Sequence, residues 1–341
     1  MNEENKYTYV SYWLLLITFL VALMIGVGGL TRLTDSGLSI TEWNLISGIF
    51  PPLSLSDWEE SFSLYKEIPE YKLLNSSMTL EQFKTIFYWE YIHRLLGRLI
   101  GIIYIFPLIF FTLKGKIDKK KLLFFYSIFL LICFQGFIGW YMVKSGLTER
   151  TDVSHYRLSL HLTLAFIILI LLFWNYLSFS NQTYLANRNR VPFKLPLIFT
   201  FLLLLQISFG ALVSGLDAGL IYQTWPLMNQ NYFPDDSILK DLLTLKSFSE
   251  PSIVQFIHRN LAYFIFLVFL ILSFKVFKNK EFFYLRNSIL LLSTFLLFQI
   301  FLGIVTILSG AHILLASMHQ IGSIFLVLVT VNLLYKNYRT N

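Results

Sequence analysis

The sequence predicts an all-α integral membrane fold, and three observations carry that prediction. Hydrophobic residues make up 56% of the 341 and charged residues only 14%, giving a mean hydropathy of +0.63 that a water-exposed globular surface does not sustain. The apolar residues gather into eight runs long enough to cross a bilayer. Those runs fall into two sets of four that repeat each other's polar punctuation. With 17 Gly and 9 Pro, collagen-like and low-complexity readings fail. A single cysteine, Cys133, excludes a disulfide framework and an all-thiolate metal site. The net charge of +7 lies in loops between apolar runs and implies no nucleic-acid partner.

A hydrocarbon core about 30 Å thick takes roughly 20 residues of helix. The predicted spans are 10–30, 91–113, 122–143, 158–179, 195–216, 257–274, 288–310 and 313–335. The first, third, fifth and seventh carry no charge; the fourth and eighth each carry one histidine. The second and sixth open on His93-Arg94 and His258-Arg259 and, past Arg98 in the second, are then apolar, which places those opening turns at the membrane interface.

Orientation follows from where Lys and Arg fall. Residues 114–121 hold five Lys against Asp118, 181–195 hold Arg188, Arg190 and Lys194, 275–286 hold four basic residues against Glu281, and the tail adds Lys336 and Arg339. The alternate loops are acidic: 31–89 carries eight Asp or Glu against four Lys or Arg, and 215–256 carries five against two. Both termini are therefore expected in the cytoplasm. The first apolar run is full length with no small-residue cleavage site behind it, so no cleavable signal is expected. The absence of an Arg-rich, acid-poor leader favours a bacterial plasma (inner) membrane over an imported organelle protein.

The repeat is explicit. Asp35-Ser-Gly37-Leu38, followed by Trp43, is echoed in register by Asp217-Ala-Gly219-Leu220, followed by Trp225. Glu90-Tyr-Ile-His93-Arg94 is echoed by Gln255-Phe-Ile-His258-Arg259, Gln135 to Gly139 by Gln299 to Gly303, and His161 by His319. Each half starts on the same side of the membrane. The expected architecture is therefore two tandem four-helix bundles, residues 1–187 and 188–341, related by a pseudo-two-fold along the membrane normal. The basic stretch 181–195 is the expected junction. Asp35 and Asp217 keep register, which turn chemistry explains as readily as function.

Four of the six histidines, His93, His161, His258 and His319, sit near the outer ends of alternate spans, two in each half. Ionisable groups inside spans are costly and mark function. One turn deeper on the same helix faces stand Gly97, Ala165, Ala262 and Ser323, all small, with Gly101 extending the cleared face below His93. Ordinary close helix packing also uses small residues, but a flat macrocycle held through an axial imidazole requires such clearance. The pattern predicts two haem sites, His93 with His161 and His258 with His319. Arg94, Arg98 and Arg259 at the rim are candidates for pairing with propionates, or for interfacial snorkelling. Glu90-x-x-His93 also fits a di-iron element, but its second copy reads Gln255-x-x-His258, which removes a charged ligand. Zinc is disfavoured, since each half offers two of these histidines and no Cys beside them, the single Cys133 lying within the third span.

That Glu90/Gln255 difference leaves an ionisable side chain beside only one pair of histidines. A carboxylate there moves protons or stabilises developing positive charge, so the first half is expected to be reactive and the second structural or electron-transferring. The other reading of Glu90 is an interfacial acid paired with Arg94 or Arg98. His155 and His312 lie in or beside outer loops and are expected to be solvated or to assist at a haem edge. Cys133 is expected to be a small core residue.

Gly28-Gly-Leu-Thr-Arg32-Leu-Thr-Asp35-Ser-Gly37 through Trp43, Glu90-Tyr-Ile-His93-Arg94-Leu-Leu-Gly97-Arg98, His155 through Thr163, the Ile257-His258-Arg259 turn and Met318-His319-Gln320 together resemble the haem A synthase family over nearly the whole chain. The resemblance implies oxidation of the C8 methyl of haem O to a formyl group by successive hydroxylations, giving the haem A of cytochrome oxidases. It implies substrate haem O at His93/His161, bound haem b at His258/His319, and Glu90 as a catalytic side chain. It further implies a haem O-producing farnesyltransferase and the cytochrome oxidase assembly machinery as partners, with membrane lipid around the chain and a homo-oligomer left open. One branch of the family carries paired cysteines in its outer loops; this chain resembles the other branch, which puts thiol-based electron delivery in doubt. Two rivals stand beside this reading: a di-haem b-type protein exchanging electrons with quinone, and a transporter, the latter weakened by the parallel repeats and uninterrupted spans.

Overall fold

A computed structural model describes residues 3–44, 47–180 and 189–338. The expected boundary between residues 187 and 188, Arg188 and Arg339 lie outside the described residues. Among the described residues eight helices are long and apolar enough to cross a membrane: α1 (Glu3–Leu33), α4 (Leu80–Leu113), α5 (Lys119–Glu149), α6 (His155–Ser180), α7 (Leu195–Gly215), α9 (Pro251–Lys278), α10 (Arg286–Leu308) and α11 (Ile313–Tyr338). Short helices α2 (Leu55–Lys66), α3 (Pro69–Leu73) and α8 (Lys246–Ser249) lie between them. Among the described residues there is no β-strand beyond one isolated bridge, Met228 to Asn231.

Packing closes two rings. α1 packs on α4, α4 on α5, α5 on α6 and α6 back on α1; likewise α7 on α9, α9 on α10, α10 on α11 and α11 on α7. α6 against α7, α1 against α11 and α6 against α11 join the rings. Each ring has its own apolar core, but the first also takes in Ile324, Val327 and Val331 of α11, so the two share packing along the join. Polar contacts across the join are few and specific. Ser159 donates to the Ser208 carbonyl at 2.8 Å, and Gln320 Nε2 on α11 donates to the Ile25 carbonyl on α1 at 2.9 Å. The Gln320 amide leaves no space for a side chain at position 29, where a Cβ would meet its oxygen.

Within an apolar medium every backbone group needs a partner. Pro107 inside α4 has no N–H for the Ile103 carbonyl. Trp13 Nε1 of α1 donates to that carbonyl at 2.9 Å. The indole thereby satisfies an oxygen that the proline orphans, a group worth roughly 1–3 kcal/mol if left bare. Buried hydroxyls are handled within their own helices, as where Thr18 donates to the Leu14 carbonyl at 2.7 Å.

The turns that end α1 and α7 explain the register of the two aspartates. Asp35 (φ 48°) and Asp217 (φ 49°) both adopt left-handed backbone, which Asp tolerates better than most residues. Arg32 ties the two turns together: Nη1 reaches Asp35 at 2.8 Å, while Nη2 reaches both Asp217 and the Ser214 carbonyl at 2.8 Å.

The outer segment 31–89 is more ordered than a long acidic loop suggests. Ser54 and Asp57 cap α2 reciprocally, and Thr79 and Gln82 do the same for α4. Trp58, Phe62, Tyr65, Ile68, Phe83 and Phe87 form an apolar cap with Leu38 and Val153. Because Phe83 and Phe87 bury one face beneath that cap, α4 begins well before the expected span at residue 91. His93 therefore lies about three turns inside α4, and His258 about two turns inside α9, rather than in opening turns.

Glu70 is buried in this cap at 3% exposure, accepting from Tyr65 at 3.2 Å and from Asn75 at 3.4 Å. Burial pushes its carboxyl up to about 8, against the Tyr65 hydrogen bond and with help from neighbouring carboxylates. Below its unfolded value both states are protonated, so there is no penalty. As pH rises from there through about 8, the folded cap resists ionisation that the unfolded chain permits. Thermal stability of the cap, followed by outer-loop proteolysis, is expected to fall between pH 5 and 8, and Glu70→Gln is expected to flatten that fall. An identical pH profile in the variant defeats the assignment.

Candidate functional site

Four helices supply the four histidines, and the odd-numbered spans beside them shape the space. On α4 and α6, the His93 and His161 rings stand 6.5 Å apart between centroids, tilted by 56°. His258 lies on α9 and His319 on α11. Each imidazole presents Cε1 to a glycine of a neighbouring helix. A Cβ at Gly28 of α1 would stand 2.8 Å from that carbon of His93, and at Gly139 of α5 2.9 Å from that of His161. In the second half, a Cβ at Gly210 of α7 would stand 3.1 Å from His258, and one at Gly303 of α10 3.0 Å from His319. Any larger residue displaces the ring. Nδ1 of His93, His161 and His258 is buried with no hydrogen-bond partner.

Glutamines on the same neighbouring helices grip three of these turns. Gln135 Nε2 donates to the His161 carbonyl at 2.9 Å. Gln206 Nε2 donates to the His258 carbonyl at 3.0 Å and lies 3.3 Å from its Nε2. Gln299 Nε2 donates to the His319 carbonyl at 2.8 Å and lies 3.2 Å from its Nδ1. The sequence reading registered Gln135 and Gln299 only as marks of duplication and missed Gln206. Their signal was the four-residue step from each glutamine to its glycine.

One turn above the first histidine, Glu90 is 2% exposed. Oε1 accepts from Arg94 Nη2 at 2.5 Å; Oε2 accepts from Ser39 Oγ at 2.7 Å and from the Ile40 amide at 2.8 Å. Gln255, 1% exposed, sits at the matching turn of α9. Its Nε2 donates to the Ala218 and Tyr222 carbonyls at 2.9 and 3.2 Å, and its Oε1 accepts from Arg259 at 3.3 Å. Both side chains tie the segment that follows α1 or α7 to the helix carrying the histidine. Charge differs between them; architecture does not.

The rim arginines are engaged with the same segments. Arg94 donates to the Ile40 and Glu42 carbonyls at 2.9 and 3.2 Å and stacks over Trp43, 4.7 Å from the ring centre. Arg98 donates to the Asn44 carbonyl at 3.1 Å. Arg259 donates to the Thr224 and Tyr222 carbonyls at 2.8 Å, while its Nε is buried without a hydrogen-bond partner. Among the described residues no three His, Cys, Asp or Glu side chains gather as a metal cage.

Two expectations are corrected. Cys133 is exposed on α5 and is no core residue; within a bilayer-length span an apolar side chain needs no protein core around it. His155 does not share the exposure of His312: both of its ring nitrogens are buried without partners, because it packs against Gly215 at the end of α7.

Residues 11–331 match the cytochrome oxidase assembly protein family. The chain belongs to that family. It is 49% identical over 337 residues to the heme A synthase of Pelagibacter ubique (strain HTCC1062), covering 99% of both chains. It is 46% identical over 328 residues to the heme A synthase of Rickettsia bellii (strain RML369-C), covering 94% of this chain and 96% of that one. To the heme A synthase of Sinorhizobium fredii (strain NBRC 101917 / NGR234) it is 44% identical, covering 95% of this chain and 88% of the relative. Family membership and eight membrane-length helices place the chain among multi-pass membrane proteins of cytochrome oxidase assembly.

Proposed function

We propose that this chain is a haem A synthase that oxidises the C8 methyl of haem O to a formyl group by successive hydroxylations. The observation that carries the reading is the facing pair His93 and His161, each seated against a glycine and one held at its turn by Gln135, with His258 and His319 each seated against a glycine and held by a glutamine. Imidazole binds metals at about 2 Å, so a separation of 6.5 Å between ring centroids is compatible with one metal between them. The buried, unpartnered Nδ1 atoms of His93, His161 and His258 mark these rings as built for something beyond the protein's own hydrogen bonding.

Substrate haem O belongs at His93/His161, where Glu90 supplies a charge that Gln255 does not. Haem b belongs at His258/His319, and when bound it supplies an electron-transfer centre. Around these sites the protein orients and encloses. Arg94, Ser39 and the Ile40 amide hold the Glu90 carboxylate in one place, where it stabilises positive charge developing on the substrate or takes up a proton. The buried Nε of Arg259 offers a donor to a propionate, and Arg94 and Arg98 line the corresponding rim of the first site. Ring closure within each half supports two four-helix units, 1–187 and 188–341. The basic ends Lys114 to Lys121 and Lys275 to Lys280 support cytoplasmic termini, and the bacterial relatives support a bacterial inner-membrane location. The C8 chemistry implies a farnesyltransferase that makes haem O upstream and cytochrome oxidase assembly downstream.

Co-expression with a source of haem O tests the proposal. Extracted pigment is expected to contain haem A or its hydroxylated precursor; recovery of unchanged haem alone supports the quinone-linked electron-transfer rival instead.

A further inference from the structure

Three of the four imidazoles are gripped from outside and one is not. Gln135, Gln206 and Gln299 each stand four residues before the glycine that faces the ring: Gly139, Gly210 and Gly303. Four residues is one helical turn, so amide and glycine share a face. The amide holds the histidine backbone while the glycine accepts the ring edge. In each case Nε2 donates to the histidine carbonyl, and in the second half it also lies within 3.3 Å of a ring nitrogen. The Oε1 atoms of all three glutamines are buried and have no partner. In the second half the amide thus stands beside the imidazole as well as on its backbone, within reach of a ring nitrogen. Partners of this kind fix the orientation and basicity of a ligating histidine.

Beside His93 the frame is incomplete. Gly28 faces the ring as its counterparts do, but the residue one turn before it is Met24. A thioether donates no hydrogen bond and accepts only weakly. The Met24 methyl lies over Gly97 instead, 3.3 Å from where a Cβ would be. The carbonyl of His93 gains no cross-helix donor from α1.

We infer that Gln135, Gln206 and Gln299 are positioning residues for His161, His258 and His319, and that Met24 leaves His93 as the releasable ligand of the four. The inference rests on the haem reading above and extends it to exchange. A resident cofactor is retained by two gripped imidazoles. A substrate that must enter and leave as product is held by one gripped imidazole, His161, and one ungripped, His93. The asymmetry thus lies where turnover requires it.

The test uses the full-length protein purified with its pigments, excess apomyoglobin as haem acceptor, and pigment chromatography to tell haem B from haem O and haem A. Gln206→Leu is expected to speed haem B loss by about tenfold or more, within the range seen when partners of metal-binding histidines are removed, and to shift its midpoint potential, with release from the other site unchanged. Met24→Gln is expected to slow release of haem O and haem A by about tenfold and leave haem B retention alone. Slower release is a gain that misfolding does not produce. Haem B loss within twofold of the parent in Gln206→Leu, or unchanged haem O release in Met24→Gln, overturns the inference alone. A parent protein that retains neither pigment overturns the haem reading beneath it as well.

Discussion

His258→Ala is expected to empty the second site of haem B, and His319→Ala to do the same. The imidazole removed is one whose backbone is held by Gln206 and whose ring edge rests on Gly210. No neighbour stands ready to replace it: the adjacent residues on α7 are Gln206, with no second imidazole, and the glycine itself. The remaining histidine of the pair then holds the iron alone, and one of the two imidazole bonds that retain the macrocycle is lost. Metal binding adds directly to folding free energy wherever the unfolded chain does not bind. Pigment loss is therefore expected to bring a lower thermal midpoint, while the truncation adds a cavity between α7 and α9. Measurement is by extracted haem per polypeptide and by the visible spectrum. Haem B at the parent level in either variant rules out these two residues as its ligands. The paired first-half variants, His93→Ala and His161→Ala, are expected to leave haem B in place, which separates the two sites.

Much of this was legible in the sequence, and the parts that were not share a cause. All eight spans could be read because a bilayer imposes length and apolarity on each helix independently of its neighbours. The four histidines could be read because the duplication repeats them. Asp35 and Asp217 were visible as a repeat, but their left-handed turns and joint hold on Arg32 depend on backbone angles that sequence does not display. Contacts between helices were the least legible. Trp13 completing the Ile103 carbonyl joins residues 90 apart and leaves no local mark, and Gln206 meeting His258 joins residues 52 apart, where the step from Gln206 to Gly210 does not name the partner helix. His93 lies deep in α4 because aromatic residues of the outer cap extend the helix upward, and a hydropathy window stops where charges begin. Glu90 shows the same limit from another side. Residue type and spacing marked it as important, but only the fold shows that it anchors the Ser39-Ile40 segment as well as carrying charge.

That double role makes Glu90→Gln the decisive substitution in the first half. The variant is expected to bind haem as the parent does and to make haem A at no more than about a hundredth of the parent rate, the lower end of what removing a general acid or base costs. Whether a loss of activity reflects chemistry or folding is usually hard to separate. Here the second half of the same chain contains the substituted arrangement. Gln255 occupies the matching turn, buried and fully engaged, with its amide nitrogen on the Ala218 and Tyr222 carbonyls and its oxygen facing Arg259. By register with Gln255, a glutamine at position 90 is expected to turn its amide nitrogen toward the Ser36 and Ile40 carbonyls and its oxygen toward Arg94. The buried ion pair with Arg94 is lost, a change that costs up to about 3–5 kcal/mol where the remaining charge is left bare; here an amide bond like that of Gln255 to Arg259 replaces it and Arg94 keeps the Ile40 and Glu42 carbonyls, so the segment is expected to remain anchored. The reciprocal Gln255→Glu introduces a charge beside His258 and is expected to leave haem A production unchanged, since no substrate is expected at that pair. Full haem A production by Glu90→Gln removes Glu90 from the chemistry and reduces it to the loop anchor that Gln255 already is. Loss of haem together with activity assigns it to binding. Retained haem with lost formyl product assigns the charge itself to the reaction.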